Sequence, residues 1–411
     1  MNFSKQAYDI IDSAEAKLVA QFKEINDIAL HNQNKVLDAF RKFEVAQRHF
    51  GQTNGYGYDD IGRDTLCKLF AEIFGAEQAI VSPLIVSGTH AISLALFGVL
   101  RPNDEMVAIS GAPYDTLQTI ITGENIGSLK DYNIAYKQVE LLNGNFDFEN
   151  IKKAISEKTK LIFIGRSRGY EWRDAISIDQ IRDVCAFIHS FNQKVVIMCD
   201  NCYGEFIDYF EPTQVGADLV AGSMIKNIGG GIAPTGGYIC GKSALIEQVS
   251  YKLTAPSIGM EVGSYAYGYR TFYQGLFLAP HTTANAVKGS LLFGRAFADC
   301  GFETMPLPEK KCNDIIRSIK FDNKDDLISF CRCIQQVSPI DSNVTPFPWD
   351  MPGYTDQVIM AAGTFVAGAS IELSADSPIK EPYVAYLQGG LTYEHCKIAA
   401  LYCVDKIILK N

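Results

Sequence analysis

The chain has 411 residues, of which 47% are hydrophobic and 20% are charged. This composition excludes a disordered or collagen-like chain, and the length predicts roughly two to three average domains. The 47 acidic and 37 basic side chains give a net charge of −10, which argues against a broad interface with the phosphates of nucleic acid. The eleven cysteines are scattered without a regular spacing, so we expect reduced thiols.

The sequence carries no pattern of a membrane or secreted protein. The N-terminus lacks the apolar core of a signal peptide. The longest apolar stretch, residues 91–100, has about half the length that crosses a bilayer. We therefore expect a cytoplasmic protein without a membrane partner.

The N-terminal segment is predicted to be helical. Apolar residues recur at three- and four-residue intervals between about residues 7 and 50, and no proline interrupts them. A loop rich in glycine and tyrosine follows at residues 51–58, and a second helix is predicted at about 63–74.

The middle of the chain alternates short apolar strands with helices. Strands are predicted at residues 79–81, 106–109, 135–141, 161–164, 195–199, 218–221 and 237–240. Helices are predicted at residues 90–100, 148–156 and 178–191. Nearly all-apolar strands separated by helices are typical of a mostly parallel sheet covered on both faces, so the fold class is α/β.

The C-terminal part differs in character. After about residue 293 prolines cluster, and short strand-like and helical pieces alternate, which predicts a smaller α+β domain. A long helix around residues 282–297 would join it to the α/β part. The predicted domains are a helical arm at 1–55, a large α/β domain at 56–290 and a C-terminal domain at 291–411.

Three motifs in the α/β part carry chemistry. The first is Ser87-Gly88-Thr89, between a strand and an apolar helix. The N-terminus of a helix offers unpaired N–H groups and a partial positive charge, which bind phosphate. The alternative is a plain serine or threonine N-cap.

The second motif is Asp200, which ends the apolar strand at residues 195–199. Parallel sheets bind ligands at the carboxyl ends of their strands, where a carboxylate holds a cationic ring nitrogen, a metal or a ribose. A helix-capping aspartate is the alternative.

The third motif is Lys226, which lies between a short apolar strand and three consecutive glycines. A lysine is normally solvent-facing, but the apolar and small neighbours indicate a pocket. We expect partial burial to lower the pKa of this amine and allow it to form a Schiff base.

Together the three motifs predict a site for pyridoxal 5'-phosphate. This cofactor needs a phosphate cradle, a carboxylate at its ring nitrogen and a lysine for its aldehyde. Tyr114, just after the next strand, is well placed to stack on the ring. Cys199 and Cys202 form a CxxC pair around Asp200, but nothing supplies the further ligands of a zinc site, so no metal is predicted.

The sequence resembles a known family from about Gly51 to the C-terminus. The resemblance rests on four segments: Gly55-Tyr56-Gly57-Tyr58-Asp59-Asp60, Asp200-Asn201-Cys202-Tyr203-Gly204-Glu205-Phe206, Ser223-Met224-Ile225-Lys226 and Tyr386-Leu387-Gln388-Gly389-Gly390. The chain is similar to fold-type I pyridoxal phosphate enzymes of the cystathionine- and methionine-lyase superfamily. Within it, the chain most resembles the cystathionine β-lyase-like and methionine γ-lyase-like proteins implicated in aluminium resistance.

The resemblance implies a fold and a set of cofactor ligands. The fold is the aspartate aminotransferase-like one, with a mostly parallel seven-stranded sheet in the large domain. Lys226 would carry the covalent Schiff base, Asp200 would face the ring nitrogen and Tyr114 would stack on the ring. The expected phosphate ligands are Ser87, Gly88, Thr89 and Ser223, with Tyr56 and Tyr58 reaching the site of a neighbouring subunit. This implies a homodimer or homotetramer with active sites at the subunit interface.

The substrate ligands depart from the family pattern. The arginine that binds the substrate carboxylate is missing from its expected context, where this chain has Lys380. Arg166 and Arg168, just past a strand end, are rival anion binders.

The implied activity is a carbon–sulfur lyase for a sulfur-containing amino acid, giving a thiol, a keto acid and ammonia by β- or γ-elimination. Lys226 would take the Cα proton, and Tyr58 or Tyr114 would protonate the sulfur. Two alternatives stay open. One is another reaction with the same cofactor, such as γ-replacement, racemisation or aldol cleavage, and the other is a non-catalytic stress-resistance protein that retains the fold.

Overall fold

The computed structural model describes residues 2–351 and 354–410. Its α-helices are α1 (Lys5–Lys17), α2 (Val19–Lys42), α3 (Ile61–Phe74), α4 (Gly88–Val99), α5 (Asp115–Thr122), α6 (Phe148–Ala154), α7 (Ile178–Phe191), α8 (Ser243–Leu253), α9 (Arg270–Asp299), α10 (Lys324–Gln336) and α11 (Tyr393–Cys403). Its strands are β1 (Gln78–Ser82), β2 (Glu105–Ala108), β3 (Ala135–Gln138), β4 (Thr159–Gly165), β5 (Val196–Asp200), β6 (Leu219–Ser223), β7 (Gly237–Gly241), β8 (Thr304–Met305), β9 (Arg317–Phe321), β10 (Val358–Ala361), β11 (Ser374–Pro378) and β12 (Tyr383–Gln388).

The first sheet has seven strands in the order β1-β7-β6-β5-β4-β2-β3. The pairs from β6 to β3 are parallel, and β7 is antiparallel to both of its neighbours. The α/β class and the mostly parallel seven-stranded sheet predicted from the sequence are therefore confirmed.

Apolar residues cover both faces of this sheet. On one face, Val107, Ile162 and Ile197 lie side by side and pack against α3 and α7. On the other face, Met106 and Met198 pack against α4 and α8. Alternate residues of one strand point to opposite faces, so strands covered on both sides must be apolar throughout.

The second sheet is antiparallel throughout, in the order β10-β11-β12-β9-β8. Its apolar residues share a separate core with α1, α10, α11 and the C-terminal half of α9. Helix α9 runs through residue 290, where the sequence predicted a domain limit. The limits of the three domains stay a prediction.

Two helices differ from the sequence prediction. The N-terminal helix breaks at Leu18, because α1 packs on the core of the second sheet while α2 contributes Val36 and Ala39 to that of the first. Helix α9 begins about twelve residues before the predicted start and contains Pro280. Phe272 and Leu276, near Pro280, are buried in the core of the first sheet, which offsets the hydrogen bond that proline removes.

All eleven cysteines have free thiols. Ten of them are buried, and Cys300, just after α9, is partly exposed.

No helix of the described residues is both long and apolar enough to span a bilayer.

A buried ion pair joins the two sheets. Arg168 lies just after β4 and Asp314 shortly before β9, and Nη2 of the arginine is 3.0 Å from Oδ1 of the aspartate. Neither side chain is exposed by more than 1%. The guanidinium also donates to the carbonyl oxygens of Met305 and Ile316 at 3.0 and 2.7 Å.

Removing one partner of this pair should weaken the fold strongly. In Asp314→Ala, Arg168 would stay buried without an anion, and we expect the free energy of unfolding to fall by about 3–5 kcal/mol in urea denaturation. As a control, Asp27→Ala breaks an exposed 2.8 Å pair with Lys23 and should cost less than about 1 kcal/mol. Equal losses in the two variants would contradict a special role for the buried pair.

Candidate active site

The site lies at the carboxyl edge of the first sheet. Gly165 at the end of β4 pairs with Asp200 at the end of β5, and Asp200 pairs with Ala221 of β6. Because these strands are parallel, the residues that follow them meet at one edge. Ser223 ends β6 there, and Lys226 follows three residues later.

The N-terminus of α4 lies against this edge. The Ser87 hydroxyl caps the helix by accepting from the His90 N–H at 3.1 Å, which is the capping role considered for it from the sequence. A Cβ atom on Gly88 would lie 3.2 Å from Cβ of Ser223 and 3.3 Å from Sγ of Cys202. The first turn of α4 and Ser223 thus border one small space. The backbone N–H groups of this first turn have no hydrogen-bond partners within the helix.

Asp200 is buried in the floor of the site. Its Oδ1 accepts from the N–H of Cys202 at 3.1 Å. Burial raises the pKa of this carboxyl, while the Cys202 N–H and the charge of Lys226 oppose the rise, so that the net pKa stays above its ordinary value. A cation placed beside Asp200 would favour its ionised form.

Lys226 points its amine at an aromatic ring. Its Nζ lies 3.5 Å from the centre of the Tyr203 ring. Burial lowers the pKa of the amine, as expected from the sequence, but Tyr203, Cys202 and Asp200 outweigh it and the net shift is upward. The expectation of a lowered pKa was therefore wrong, because it considered burial without these neighbours.

Tyr203 is a site residue that sequence reasoning missed. Its backbone is left-handed, with a φ of 71°, a conformation that costs a residue with a large side chain free energy and that occurs mostly at functional sites. Its hydroxyl lies 3.1 Å from Oγ of Ser370, in the C-terminal part of the chain. An aromatic residue three positions after a strand-ending aspartate was the available signal.

Tyr114 lies beside the same edge. Its hydroxyl is 3.0 Å from Oγ1 of Thr89. Burial and the Asp200 carboxylate raise the pKa of this phenol well above its ordinary value. The structure therefore brings Tyr114, Thr89 and Asp200 together.

A polar network lies behind the lysine. Glu205 is fully buried, and its Oε1 accepts from the hydroxyl of Tyr238 at 2.7 Å. Its Oε2 has no hydrogen-bond partner among the described residues. Asn227, next to Lys226, donates from its side chain to the Glu205 carbonyl at 3.1 Å. Burial raises the pKa of the Glu205 carboxyl to about 8.

The second sheet adds a carboxyl group to the site. Asp376 of β11 lies close enough to Lys226 for the ammonium to lower its pKa, although burial outweighs this and raises the pKa to about 7. Its Oδ2 accepts a long hydrogen bond of 3.4 Å from Nε2 of Gln388. No sequence pattern singles out Asp376, because its place in the site depends on how the second sheet packs on the first.

The predicted substrate ligands all have partners within the protein. Arg168 is held by Asp314, and its guanidinium nitrogens all donate within the protein. Arg166 is buried and donates to Asn201 Oδ1 and the Gly204 carbonyl, both at 2.7 Å. These contacts engage both arginines within the protein, and their binding of a substrate anion stays a prediction. Lys380 is exposed in the turn between β11 and β12, 3.0 Å from Asp356.

Tyr56 and Tyr58 lie on the surface of the chain. They are 70% and 63% exposed, and their ring centres are 5.4 Å apart. The loop is fixed by the Gly263 N–H, which donates to the Tyr56 carbonyl at 2.8 Å, and by Arg63, which donates to the Gly57 carbonyl at 3.0 Å. Their predicted contact with a neighbouring subunit stays a prediction.

These residues fit pyridoxal phosphate. The space beside Gly88, which a Cβ atom would narrow, borders helix N–H groups and the Ser223 hydroxyl, which suit a phosphate. The Lys226 amine and the buried Asp200 carboxyl suit an aldehyde and a pyridine nitrogen.

Comparison with known proteins places the chain among similar sequences and folds. A family model described as methionine gamma-lyase matches residues 7–408. The uncharacterized protein YnbB of Bacillus subtilis (strain 168) is 50% identical over 401 residues, which are 97% of this chain and 95% of YnbB.

Solved structures agree with this match. A carbon-sulfur lyase involved in aluminum resistance, from Clostridium novyi NT, is 49% identical with a TM-score of 0.95, over 98% of this chain and 96% of its own. The pyridoxal-5'-phosphate dependent protein YhfS from Escherichia coli is 16% identical, with a TM-score of 0.63 over 94% of this chain and 97% of its own. The latter shares the fold, which confirms the predicted fold type.

The buried Glu205 predicts how stability depends on pH. The folded protein retains the Glu205 proton up to about pH 8, whereas the unfolded chain releases it near the ordinary glutamate pKa of 4.5. Stability from this group should therefore fall as pH rises from 4.5 to 8. We expect Glu205→Gln to reduce the loss of unfolding free energy between pH 5 and 8 by on the order of 1–4 kcal/mol, measured by denaturation at each pH.

A matched control is Glu247→Gln. Glu247 is exposed and also accepts from a tyrosine hydroxyl, that of Tyr251, at 2.7 Å. The Glu247→Gln variant should show the same dependence of unfolding free energy on pH as the wild type. If Glu205→Gln and wild type lost stability in parallel over this range, the buried carboxyl would not hold its proton as described.

Proposed function

Because the chain belongs to the methionine gamma-lyase family, we propose that it is a pyridoxal phosphate-dependent carbon–sulfur lyase acting on a sulfur-containing amino acid. The family predicted from the sequence is confirmed. The proposed reaction is a β- or γ-elimination that releases a thiol, a keto acid and ammonia. One observation carries the proposal: Lys226, Asp200 and Ser223 converge at one sheet edge, beside the N-terminus of α4.

The proposed cofactor contacts follow from this geometry. Ser223 and the first turn of α4, with Ser87, Gly88 and Thr89, would hold the phosphate, and Tyr114 would cover the ring. The cofactor, when bound, supplies an electron sink for negative charge at Cα of the substrate. Asp200 would hold a proton on the ring nitrogen, and its burial excludes water that would weaken this contact.

Lys226 is proposed as the base that takes the Cα proton. Its amine rests on the Tyr203 ring near Asp200 and Asp376, which favour its protonated form and so help it retain the proton it takes. Tyr203 itself is held by Ser370, so the position of the amine depends on both sheets.

For the substrate carboxylate we retain Lys380. Its ammonium is exposed and pairs with Asp356 at 3.0 Å, a contact that a carboxylate ligand can replace at little cost. We do not propose Arg166 or Arg168 for this role, since their donors are engaged in the interior.

We also propose that the chain works as a homodimer or homotetramer. The support is the fixed, outward-facing loop with Tyr56 and Tyr58, whose exposed rings a neighbouring copy would cover. Tyr58 would then contribute to binding the cofactor phosphate in the neighbour's site.

The decisive test of the cofactor is the variant Lys226→Ala. We expect borohydride treatment of the wild-type holoprotein to fix the cofactor on the peptide that contains Lys226, as found by mass spectrometry. The variant should show no fixed cofactor and no thiol release. The control Lys252→Ala changes an exposed lysine of α8 and should behave as wild type. Covalent fixation and turnover in Lys226→Ala would refute the proposal.

Complementation tests the shared site. If the Tyr58 hydroxyl holds the phosphate of the neighbour's cofactor, Lys226→Ala and Tyr58→Phe should each be nearly inactive alone. Refolded together, they should form mixed dimers with one complete site, and thiol release should return to about a quarter of the wild-type rate. No recovery from the mixture would place both residues in the site of one chain.

A further inference from the structure

Asp376 has no assigned part in the site, although it faces Lys226. It lies in β11, opposite Tyr386 of β12, and is partly buried. Its one hydrogen bond within 3.5 Å among the described residues is the 3.4 Å contact from Gln388. The Lys226 charge and the side chains of Gln388 and Tyr170 favour the ionised form of this carboxyl, but burial outweighs them and raises its pKa.

The surroundings of Asp376 are mostly tyrosines. Tyr170 lies with its ring centre 5.0 Å from that of Tyr386 and 5.9 Å from that of Tyr354. The Tyr386 hydroxyl donates to the Tyr170 carbonyl at 2.5 Å. The titratable groups that interact with Asp376 are Lys226, Tyr170, Tyr354, Tyr386 and Cys331. Lys226 is the one cation among them.

A departing thiolate needs an acid of suitable strength. An ordinary thiol has a pKa of about 8.5, so an acid with a pKa near 7 gives its proton to a thiolate readily. The pKa of Asp376 is about 7. The pKa values of Tyr114 and Tyr170 are raised well above the ordinary tyrosine value by burial, which makes these phenols weak donors.

We propose that Asp376 is the acid that protonates the departing sulfur of the substrate. This assignment rests on the proposed lyase function, and it replaces Tyr58 and Tyr114 in that role. The geometry that carries it is a carboxyl group directly opposite Tyr386, whose ring shares a cluster with Tyr170 and Tyr203. The Tyr203 ring is the one on which the Lys226 amine rests.

The protons balance between the two groups. In a β-elimination, Lys226 takes the proton from Cα and becomes an ammonium, and the electron pair of that C–H bond forms the double bond between Cα and Cβ. The carbon–sulfur bond breaks with its electron pair on sulfur, and the Asp376 proton passes to that sulfur. The products are a free thiol, an Asp376 carboxylate and a Lys226 ammonium. The new ammonium lowers the pKa of Asp376 at the step where Asp376 must give up its proton. A later transfer of a proton from Lys226 to Asp376 returns both groups to their initial protonation states.

The leaving group provides the test. Thiol release is measured with S-ethyl and S-(4-nitrophenyl) conjugates of L-cysteine or L-homocysteine, whichever series the wild-type holoenzyme cleaves. Nitrophenyl thiolate is a weak base and leaves without an acid. We expect Asp376→Asn to lower kcat about 10²–10⁴-fold for the ethyl conjugate and less than about tenfold for the nitrophenyl conjugate. Exchange of the Cα proton in deuterated water should continue in the variant.

The outcomes separate the two proposals. Equal losses for both leaving groups, or no loss, would overturn the role of Asp376 and leave the lyase function standing. Release of no thiol by wild type from any conjugate would refute the lyase function, and this inference with it. Asp322→Asn, an exposed aspartate that follows β9 in the same sheet, is the control and should match wild type.

A second measurement needs no turnover. In the apoprotein, the carboxyl carbon of Asp376 is titrated by NMR, with its resonance identified by its loss in Asp376→Asn. Lys226→Ala removes the cation and should raise the measured pKa of Asp376 above that of wild type. An unchanged pKa would show that the two groups are not coupled and would overturn the proposal even if Asp376→Asn folded poorly.

Discussion

The ion pair between Arg168 and Asp314 holds the second sheet against the strand ends of the first. Because water is excluded from both side chains, each charge depends on the other. Nearby contacts add to this docking, among them the bond from the Tyr386 hydroxyl to the Tyr170 carbonyl. The groups that the C-terminal part of the chain offers to the site, Asp376 of β11 and Ser370 beside Tyr203, depend on this docking.

This docking puts Lys226 between acids from two separate sheets. Asp200 comes from the floor of the first sheet and Asp376 from the second, and burial raises the pKa of both while the lysine opposes the rise. One amine therefore controls the charge of two carboxyl groups. When that amine loses its charge, the pKa of both carboxyl groups rises. The protonation states of the three groups are therefore coupled.

The sequence was sufficient for the residues that strand order alone brings together. Asp200, Ser223 and Lys226 follow parallel strands, and this rule needs no knowledge of side-chain packing. The places of Tyr203 and Asp376 in the site were not predicted. The position of Tyr203 depends on its left-handed backbone, and that of Asp376 depends on the docking of the second sheet. The pairing of Arg168 with Asp314 was not predicted, because the two residues lie 146 positions apart in the chain and no local pattern reveals the pair.

The burial of ten cysteines affects how the protein would react with the thiol that the proposed reaction releases. An enzyme that releases thiols is exposed to the disulfides they form, and these exchange with accessible thiolates. Burial keeps the thiol of Cys202, beside the site, protonated and therefore a poor nucleophile. Cys300 is the partly exposed exception, at the far end of α9. Burial raises the pKa of the Cys300 thiol as well, so its partial exposure, and not an enhanced thiolate, makes it the described cysteine that a disulfide formed from a released thiol would reach first.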